Sequence, residues 1–408
     1  MPRDRDEDEG RRRMRRPASI KDVAAHARVS PTTVSHVLSG NRPVAPETAE
    51  RVRAVVSRLG YVPASTARNL QAGSTNVIGL LVPDITNQFF AELAKGVEDA
   101  AHDLGYGVIL CNTEFDPERE DRYLELLRGR FIDGMVYASG SPPSRDRLAS
   151  LLGRFPIALA DEVVPGLLEQ TILVTADHRA GGRLVGQHLR ELGHRRVLAV
   201  SGPVDLVSSL ERIAGFREAF GDEGVTEVEG AFVERSGYDV VAAALDGHGP
   251  RDFTAVFAAN DLMALGAVAA LEDAGLRVPD DVSVAGFDDI MLAGRVHPSL
   301  TTVHQPAYDV GRTAAAQLLQ YVHRGEVPPA SRHILPVRLR VRGSTAPVVG
   351  LGPVRPILAG PATPGTAPRG VAETPSGNHP EGAPAPCDAP HQTPRPIRPR
   401  SAGQTLAP

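Results

Sequence analysis

Only two cysteines, Cys111 and Cys387, occur in 408 residues. That excludes a disulfide framework, and no Cys/His spacing fits a metal site. Neither metal nor cofactor is expected, and a reducing cytoplasm is the expected compartment. No apolar run approaches the ~20 residues that a membrane span needs. The first residues are charged where a secretory signal would be apolar. Aromatics are scarce, 4% with no Trp, but 42% hydrophobic residues still suffice for a sizeable core. Catalytic fingerprints are missing too. There is no Gly-x-Ser-x-Gly elbow and no phosphate-binding Gly-x-x-x-x-Gly-Lys loop. Ala180-Gly-Gly-Arg-Leu-Val-Gly lacks the dinucleotide spacing. These absences argue against an enzyme and against a secreted solute carrier.

What is present is an uneven charge. The net value of −5 hides a basic head. Residues 17–75 carry Lys21, Arg28, Arg42, Arg51, Arg53, Arg58 and Arg68 against Asp22, Glu47 and Glu50, a net of +4. Residues 1–16 add +2, which leaves −11 on the rest. A basic head on an acidic body points to a polyanionic partner for the head.

Residues 1–16 form a charge run without apolar periodicity, expected to be disordered, with Met14 as a second candidate start. Residues 17–62 read as three short helices. Ser19 caps the first, with Ile20, Val23, Ala24 and Ala27 on one face. After the tight connection Arg28-Val29-Ser30, Ser30 caps the second, with Pro31 at its first position. This helix presents Thr32, Thr33, Ser35 and His36 and buries Val34, Val37 and Leu38. The third runs from about Pro46 to Leu59 and stops at Gly60. Two short helices around a tight turn, the second carrying small polar side chains, suit a reader of the DNA major groove.

From Asn76 the texture becomes strand–helix alternation. The apolar strands Val77–Val82, Gly107–Leu110, Gly134–Tyr137, Ile157–Ala160, Val197–Ser201, Ala255–Ala258 and Val282–Gly286 are near-continuous. Cys111 falls at the end of one such run. Helices are expected at Phe89–Leu104, Glu118–Arg128, Arg145–Leu152, Gly181–Leu192, Glu211–Phe220, Tyr238–Leu245, Asp261–Ala274 and Ala307–Val322. The fold class is α/β: two doubly wound parallel sheets over residues 76–344, covered on both faces. Residues 345–408 are Pro- and Gly-rich and read as a disordered tail.

The run Ser19-Ile-Lys-Asp-Val-Ala-Ala-His-Ala-Arg-Val-Ser-Pro-Thr-Thr-Val-Ser-His-Val-Leu-Ser-Gly, continued by Asn41-Arg-Pro-Val and Leu59-Gly-Tyr-Val-Pro, resembles the opening of the lactose/galactose repressor family. The resemblance extends to about Arg342. It implies a cytoplasmic repressor whose helix-turn-helix head reads a near-palindromic operator as a homodimer, with a periplasmic-binding-protein-like sensor. By position it puts Thr32, Thr33 and His36 on base edges and Ser30, Ser35 and Arg42 on phosphates or groove edges. It implies a hinge helix within residues 63–75, with Leu70 as a minor-groove wedge, Ala67 between paired hinges and Arg68 on backbone. Two positions depart from the pattern: Arg28 stands where Gly is common and Ser39 where Asn is common.

The same resemblance places a small-molecule effector between two lobes joined by three chain crossings, expected near Thr175, Gln305 and Arg332. Ligands of open α/β sheets bind beyond the carboxyl ends of strands. The residues waiting there are Asp84, Asn87, Phe89 and Phe90 after the first strand, one of the two Phe being expected in the core. Asp161, Ser208, Arg212, Asn260 and Asp288 follow later strands, with Phe232 as a wall. Asp261 and Asp289 read as helix caps. Hydroxyl-bonding side chains beside aromatic walls suit a sugar, sugar phosphate or nucleoside. Effector binding would shift a lobe equilibrium and so release or tighten the operator. A constitutive DNA binder would lack this strand-end polar set.

Overall fold

The computed structural model describes residues 18–40, 42–61, 74–128, 132–138, 140, 155–164, 171–246, 252–326 and 329–348. The expected hinge with Ala67, Arg68 and Leu70, the helix expected at Arg145–Leu152, residues 1–16 and most of the tail lie outside them.

The head forms helices α1 (Ile20–Ala27), α2 (Pro31–Ser39) and α3 (Pro46–Leu59). Ser19 and Asp22 make a reciprocal capping box at the start of α1: the Asp22 amide donates to Ser19 Oγ at 3.3 Å, and the Ser19 amide to Asp22 Oδ2 at 2.7 Å. Arg28 ends α1 in the left-handed conformation, φ 53°. A non-glycine residue there costs about 1–2 kcal/mol. The tight turn is therefore kept despite the departure from Gly. Arg51 of α3 donates to the Ala27 carbonyl at 3.0 Å, satisfying an orphan acceptor at the helix end. Val23, Ala24, Ala27, Val34, Val52 and Val55 close a small core.

In the first lobe, β1 (Val77–Val82), β2 (Gly107–Asn112), β3 (Gly134–Tyr137), β4 (Ile157–Ala160), β5 (Ile172–Ala176) and β11 (Ser331–Leu335) form one parallel sheet ordered β11-β5-β4-β3-β1-β2. In the second, β6 (Val197–Ser201), β7 (Val225–Glu229), β8 (Ala255–Ala258), β9 (Ser283–Asp288), β10 (Thr301–His304) and β12 (Arg338–Arg340) are ordered β12-β10-β9-β8-β6-β7. Only β12 is antiparallel. The two orders repeat the same doubly wound plan. Each reverses direction beside its first strand, which opens a crevice at the carboxyl ends.

Helices α4 (Gln88–Asp103), α5 (Pro117–Arg128) and α10 (Ala307–Val322) belong to the first lobe. The second lobe carries α6 (His178–Glu191), α7 (Val207–Phe220), α8 (Glu234–Asp246) and α9 (Asp261–Asp273). α6 and α7 pack at backbone distance: a Cβ on Gly182 would stand 2.0 Å from the Arg212 carbonyl oxygen.

Three expectations need correction. The third crossing falls at Pro336–Val337, because Arg332 pairs with Leu173 in the first sheet. The edge strands β2 and β7 are largely exposed rather than covered on both faces, since each has one strand neighbour and little helix over it. The ordered body extends past Ser344: Ala346 donates to Ser283 Oγ at 3.0 Å, and Val348 to the Leu192 carbonyl at 3.0 Å. The short strands β5, β7, β10, β11 and β12 carried no separate sequence signal beyond a general expectation of a final strand.

Candidate functional site

The chain offers two surfaces for recognition. On the head, Thr32, Ser35 and Arg42 are exposed, while Thr33 and His36 are half-buried. The Ser30 hydroxyl is the N-cap of α2: it accepts the Thr33 amide at 3.0 Å and lies 2.8 Å from the Thr33 hydroxyl. Ser30 and Thr33 thus fix the first turn of α2. The side chains of Thr32, Ser35 and His36 make no hydrogen bond with any described residue.

The second surface is a cavity of about 440 Å³ out to its mouth, at the carboxyl ends of both sheets. Of the ten positions expected at an effector cleft, nine line it: Asn87, Phe89, Phe90, Asp161, Ser208, Arg212, Phe232, Asn260 and Asp288. Asp84 does not. Its Oδ1 accepts the amide and the hydroxyl of Thr86 at 2.9 and 2.7 Å, so it builds the turn before α4. Phe89 sits in the first lobe's core and yet borders the cavity with Phe90, edge to face at 5.1 Å. Both rings therefore reach the cleft.

Arg212 organises the second lobe's side. Its Nη1 donates to the Ala259 carbonyl at 2.6 Å and to Asp288 Oδ1 at 3.4 Å, and its Nε to His178 Nδ1 at 3.3 Å. The guanidinium lies 4.2 Å from the Phe287 ring centre and 5.5 Å from that of Phe232. Nη2 bonds no described residue and remains a donor. Asp288 ends β9 and Asp289 follows it, with φ of 115° and 63°, a strained turn that sets the first carboxylate into the cavity. Asp288 Oδ1 also accepts Gln305 Nε2 at 2.7 Å. Burial pushes the Asp288 carboxyl up to about 6, against the pull of Arg212 and Gln305.

Asn260 is the N-cap of α9: its Oδ1 accepts the Met263 amide and its Nδ2 donates to the Phe232 carbonyl, both at 2.9 Å. One Nδ2 hydrogen is left for the cavity. Asn87 caps α4 in the same way, through the Phe89 amide at 3.1 Å. Phe232 adopts φ 58° and packs its ring where a Cβ on Gly202 would stand 2.1 Å away. Asp261 and Asp289 are not caps. Asp261 accepts the Thr302 hydroxyl at 2.5 Å and the Ile290 amide at 2.9 Å. Asp289 pairs with Arg342 and with His304 at the second crossing.

Sequence reasoning missed the cleft roles of Glu162, Phe115, His178 and Gln305, besides the lining residues Gly140 and Leu206. Glu162 directly follows Asp161 and lines the cavity, as does Phe115. The strand-end rule that found Asp161 would have found Glu162. His178 and Gln305 support Arg212 and Asp288 from behind. His178 accepts at Nδ1, so Nε2 carries the proton and donates to Thr175 Oγ1 at 3.1 Å. Asp161 takes φ 67° and keeps a buried Oδ1 with no hydrogen-bond partner. Burial also raises the Glu162 carboxyl above the usual range, partly offset by its bond to Ser208.

Comparison with known proteins accounts for both surfaces. Residues 19–64 match the family described as bacterial regulatory proteins, lacI family, and residues 187–345 the periplasmic binding protein-like domain. The ribose operon repressor of Halalkalibacterium halodurans is 36% identical over 80% of this chain and 97% of its own length. The lac repressor dimer bound to operator and the anti-inducer ONPF aligns with a TM-score of 0.68 at 29% identity, covering 81% of this chain and 100% of that one. A LacI family regulator from Enterococcus faecium with bound ribose aligns with a TM-score of 0.60 at 34% identity, covering 67% of this chain and 100% of that one. The chain belongs to the lacI family of bacterial regulatory proteins: it is a DNA-binding transcription regulator with an effector-binding sensor, and not an enzyme.

Proposed function

We infer that the protein is a cytoplasmic homodimeric repressor whose effector is a neutral monosaccharide of about the size of ribose. The observation that carries this reading is the orphaned Asp161 Oδ1, a buried acceptor in a cleft where Arg212, Asn260 and Asp288 are only partly engaged. A buried acceptor left without a donor costs about 1–3 kcal/mol, and a ligand hydroxyl relieves that cost. Asp288, Asn260 and Arg212 Nη2 offer further polar contacts, and Phe89, Phe90 and Phe232 supply apolar walls. The ribose-bound relative supports a pentose. The exposed Ile109 and Leu110 of edge strand β2 support a covering partner, and a second copy of the chain suits a two-fold operator.

The test is an operator mobility shift titrated with single sugars. D-ribose is expected to change operator affinity where non-sugar metabolites do not. An operator complex indifferent to every monosaccharide would defeat the effector assignment.

On the head, Thr32, Ser35 and His36 form the reading face, with Arg42 on phosphate. The caps Ser30 and Thr33 shape it. Thr32→Ala is expected to lower specific operator affinity by about 1–3 kcal/mol and relax sequence preference at one base pair. Arg42→Ala is expected to weaken all sequences alike and to reduce the salt slope by about one unit. Fluorescence anisotropy over a salt series separates the two; identical behaviour of both variants would refute these roles.

A further inference from the structure

The Glu162 carboxylate belongs to the first lobe but bonds the second. It follows β4 and is 4% exposed. Its Oε1 accepts the Val207 amide at 2.8 Å and the Ser208 amide at 3.2 Å, and the Ser208 amide also reaches Oε2 at 3.3 Å. These are the first amides of α7, a 14-residue helix whose own N-cap residue, Leu206, offers no side-chain bond. Uncapped amides backed by the helix dipole make a natural anion position. In this cleft that position is filled by the protein's own carboxylate. The adjacent Asp161, also lining the cavity, keeps its Oδ1 unpaired, with His178 Nε2 3.5 Å away and donating instead to Thr175. The cavity therefore holds one anion already seated and a second acceptor awaiting a donor.

We propose that Glu162 occupies the anion position of the effector cleft, an internal stand-in for a ligand phosphate, so that the sensor takes neutral hydroxyl-rich effectors and rejects phosphorylated ones. This rests on the reading of the cleft as the effector site. A phosphate entering it would meet Asp161, Glu162 and Asp288 and would have to displace Glu162 from α7. Among the described residues, the only guanidinium lining the cavity is that of Arg212, already shared among Ala259, His178 and Asp288. Among the three ligand classes that the polar set suits, this removes the sugar phosphates. Glu162 also ties the two lobes, as does Gln88 Oε1, which accepts the Met291 amide at 2.6 Å.

The experiment is calorimetric titration of the full chain, Glu162→Ala and Glu162→Gln with D-ribose, D-ribose 5-phosphate and inorganic phosphate, each used separately. The wild-type chain is expected to favour ribose over its 5-phosphate by at least ~100-fold and to give no heat with inorganic phosphate. Glu162→Ala frees the α7 amides; it is expected to bind inorganic phosphate and to gain at least ~10-fold for ribose 5-phosphate. Glu162→Gln keeps the length and an acceptor oxygen but no charge, and is expected to gain less. If Glu162→Ala does not fold, the gain of Glu162→Gln for ribose 5-phosphate decides. Equal wild-type affinity for ribose and its phosphate overturns the proposal, as does a phosphate response unchanged in the variants. If no protein binds ribose but Glu162→Ala acquires phosphate, the role of Glu162 stands and the pentose assignment falls.

Discussion

Arg212→Met is expected to lower stability by about 3–5 kcal/mol, the range for breaking a buried ion pair, and to weaken sugar binding by roughly 100-fold, the worth of one charged hydrogen bond. Methionine keeps most of the aliphatic volume, so the loss does not come from a cavity. It comes from the Ala259 carbonyl and His178 Nδ1, stripped of their donor, and from Asp288, left with Gln305 and without its countercharge. All lie in the interior of the second lobe, where water reaches them poorly. Asp288 has an escape, since its carboxyl already titrates near 6 and without Arg212 it takes a proton. The Ala259 carbonyl has none. Replacing both charges, as Arg212→Met with Asp288→Leu, is therefore expected to cost less in stability than Arg212→Met alone. Urea unfolding of the single and double variants checks this. A single variant as stable as the wild-type chain would show that the three bonds contribute nothing.

Much of this architecture was legible in the sequence, for physical reasons that differ by element. Strands such as Val77–Val82 and Val197–Ser201 are buried along nearly their whole length, so their apolar runs mark their ends. The head was legible through its caps, because Ser19 and Ser30 with Pro31 are local signals that need no tertiary context. Strands β7, β11 and β12 were not, since edge strands alternate with solvent and carry charge: Thr226, Glu227, Arg338 and Arg340 look like loop residues. The cleft was legible by rule, as residues after strands, but not by role. Asp84 and Asn87 are both polar and both follow β1; only the geometry reveals that one closes a turn away from the cavity while the other caps a helix at its edge. Glu162 follows a strand as Asp161 does, but its role was not legible, because its partner amides lie 45 residues away on the other lobe.

The pH response of the empty sensor follows from Asp288. Its carboxyl is raised from 3.8 in the unfolded chain to about 6 in the folded one. Between these values the native state holds a proton that the unfolded state has lost. The contribution is therefore fully present below about pH 4 and is lost as pH rises through 6, by up to about 3 kcal/mol. Other carboxylates shift both ways, Glu162 and Asp261 upward and Asp99 and Glu218 downward, so the difference from Asp288→Asn isolates this one: the variant is expected to gain stability relative to wild type as pH rises from 4 to 7. Sugar binding has the reverse slope. Ligand hydroxyls donate to the ionised carboxylate, so affinity is expected to fall by up to about tenfold per unit below pH 6. Arg212, His178, Gln305, Asp161 and Asp261 all face or couple to this group, and none removes the desolvation that dominates it. Binding at pH 6 should then release a proton, measurable as a buffer-dependent heat. A ribose complex formed without proton release, alongside a wild-type stability profile parallel to that of Asp288→Asn, would show that Asp288 does not titrate in this range.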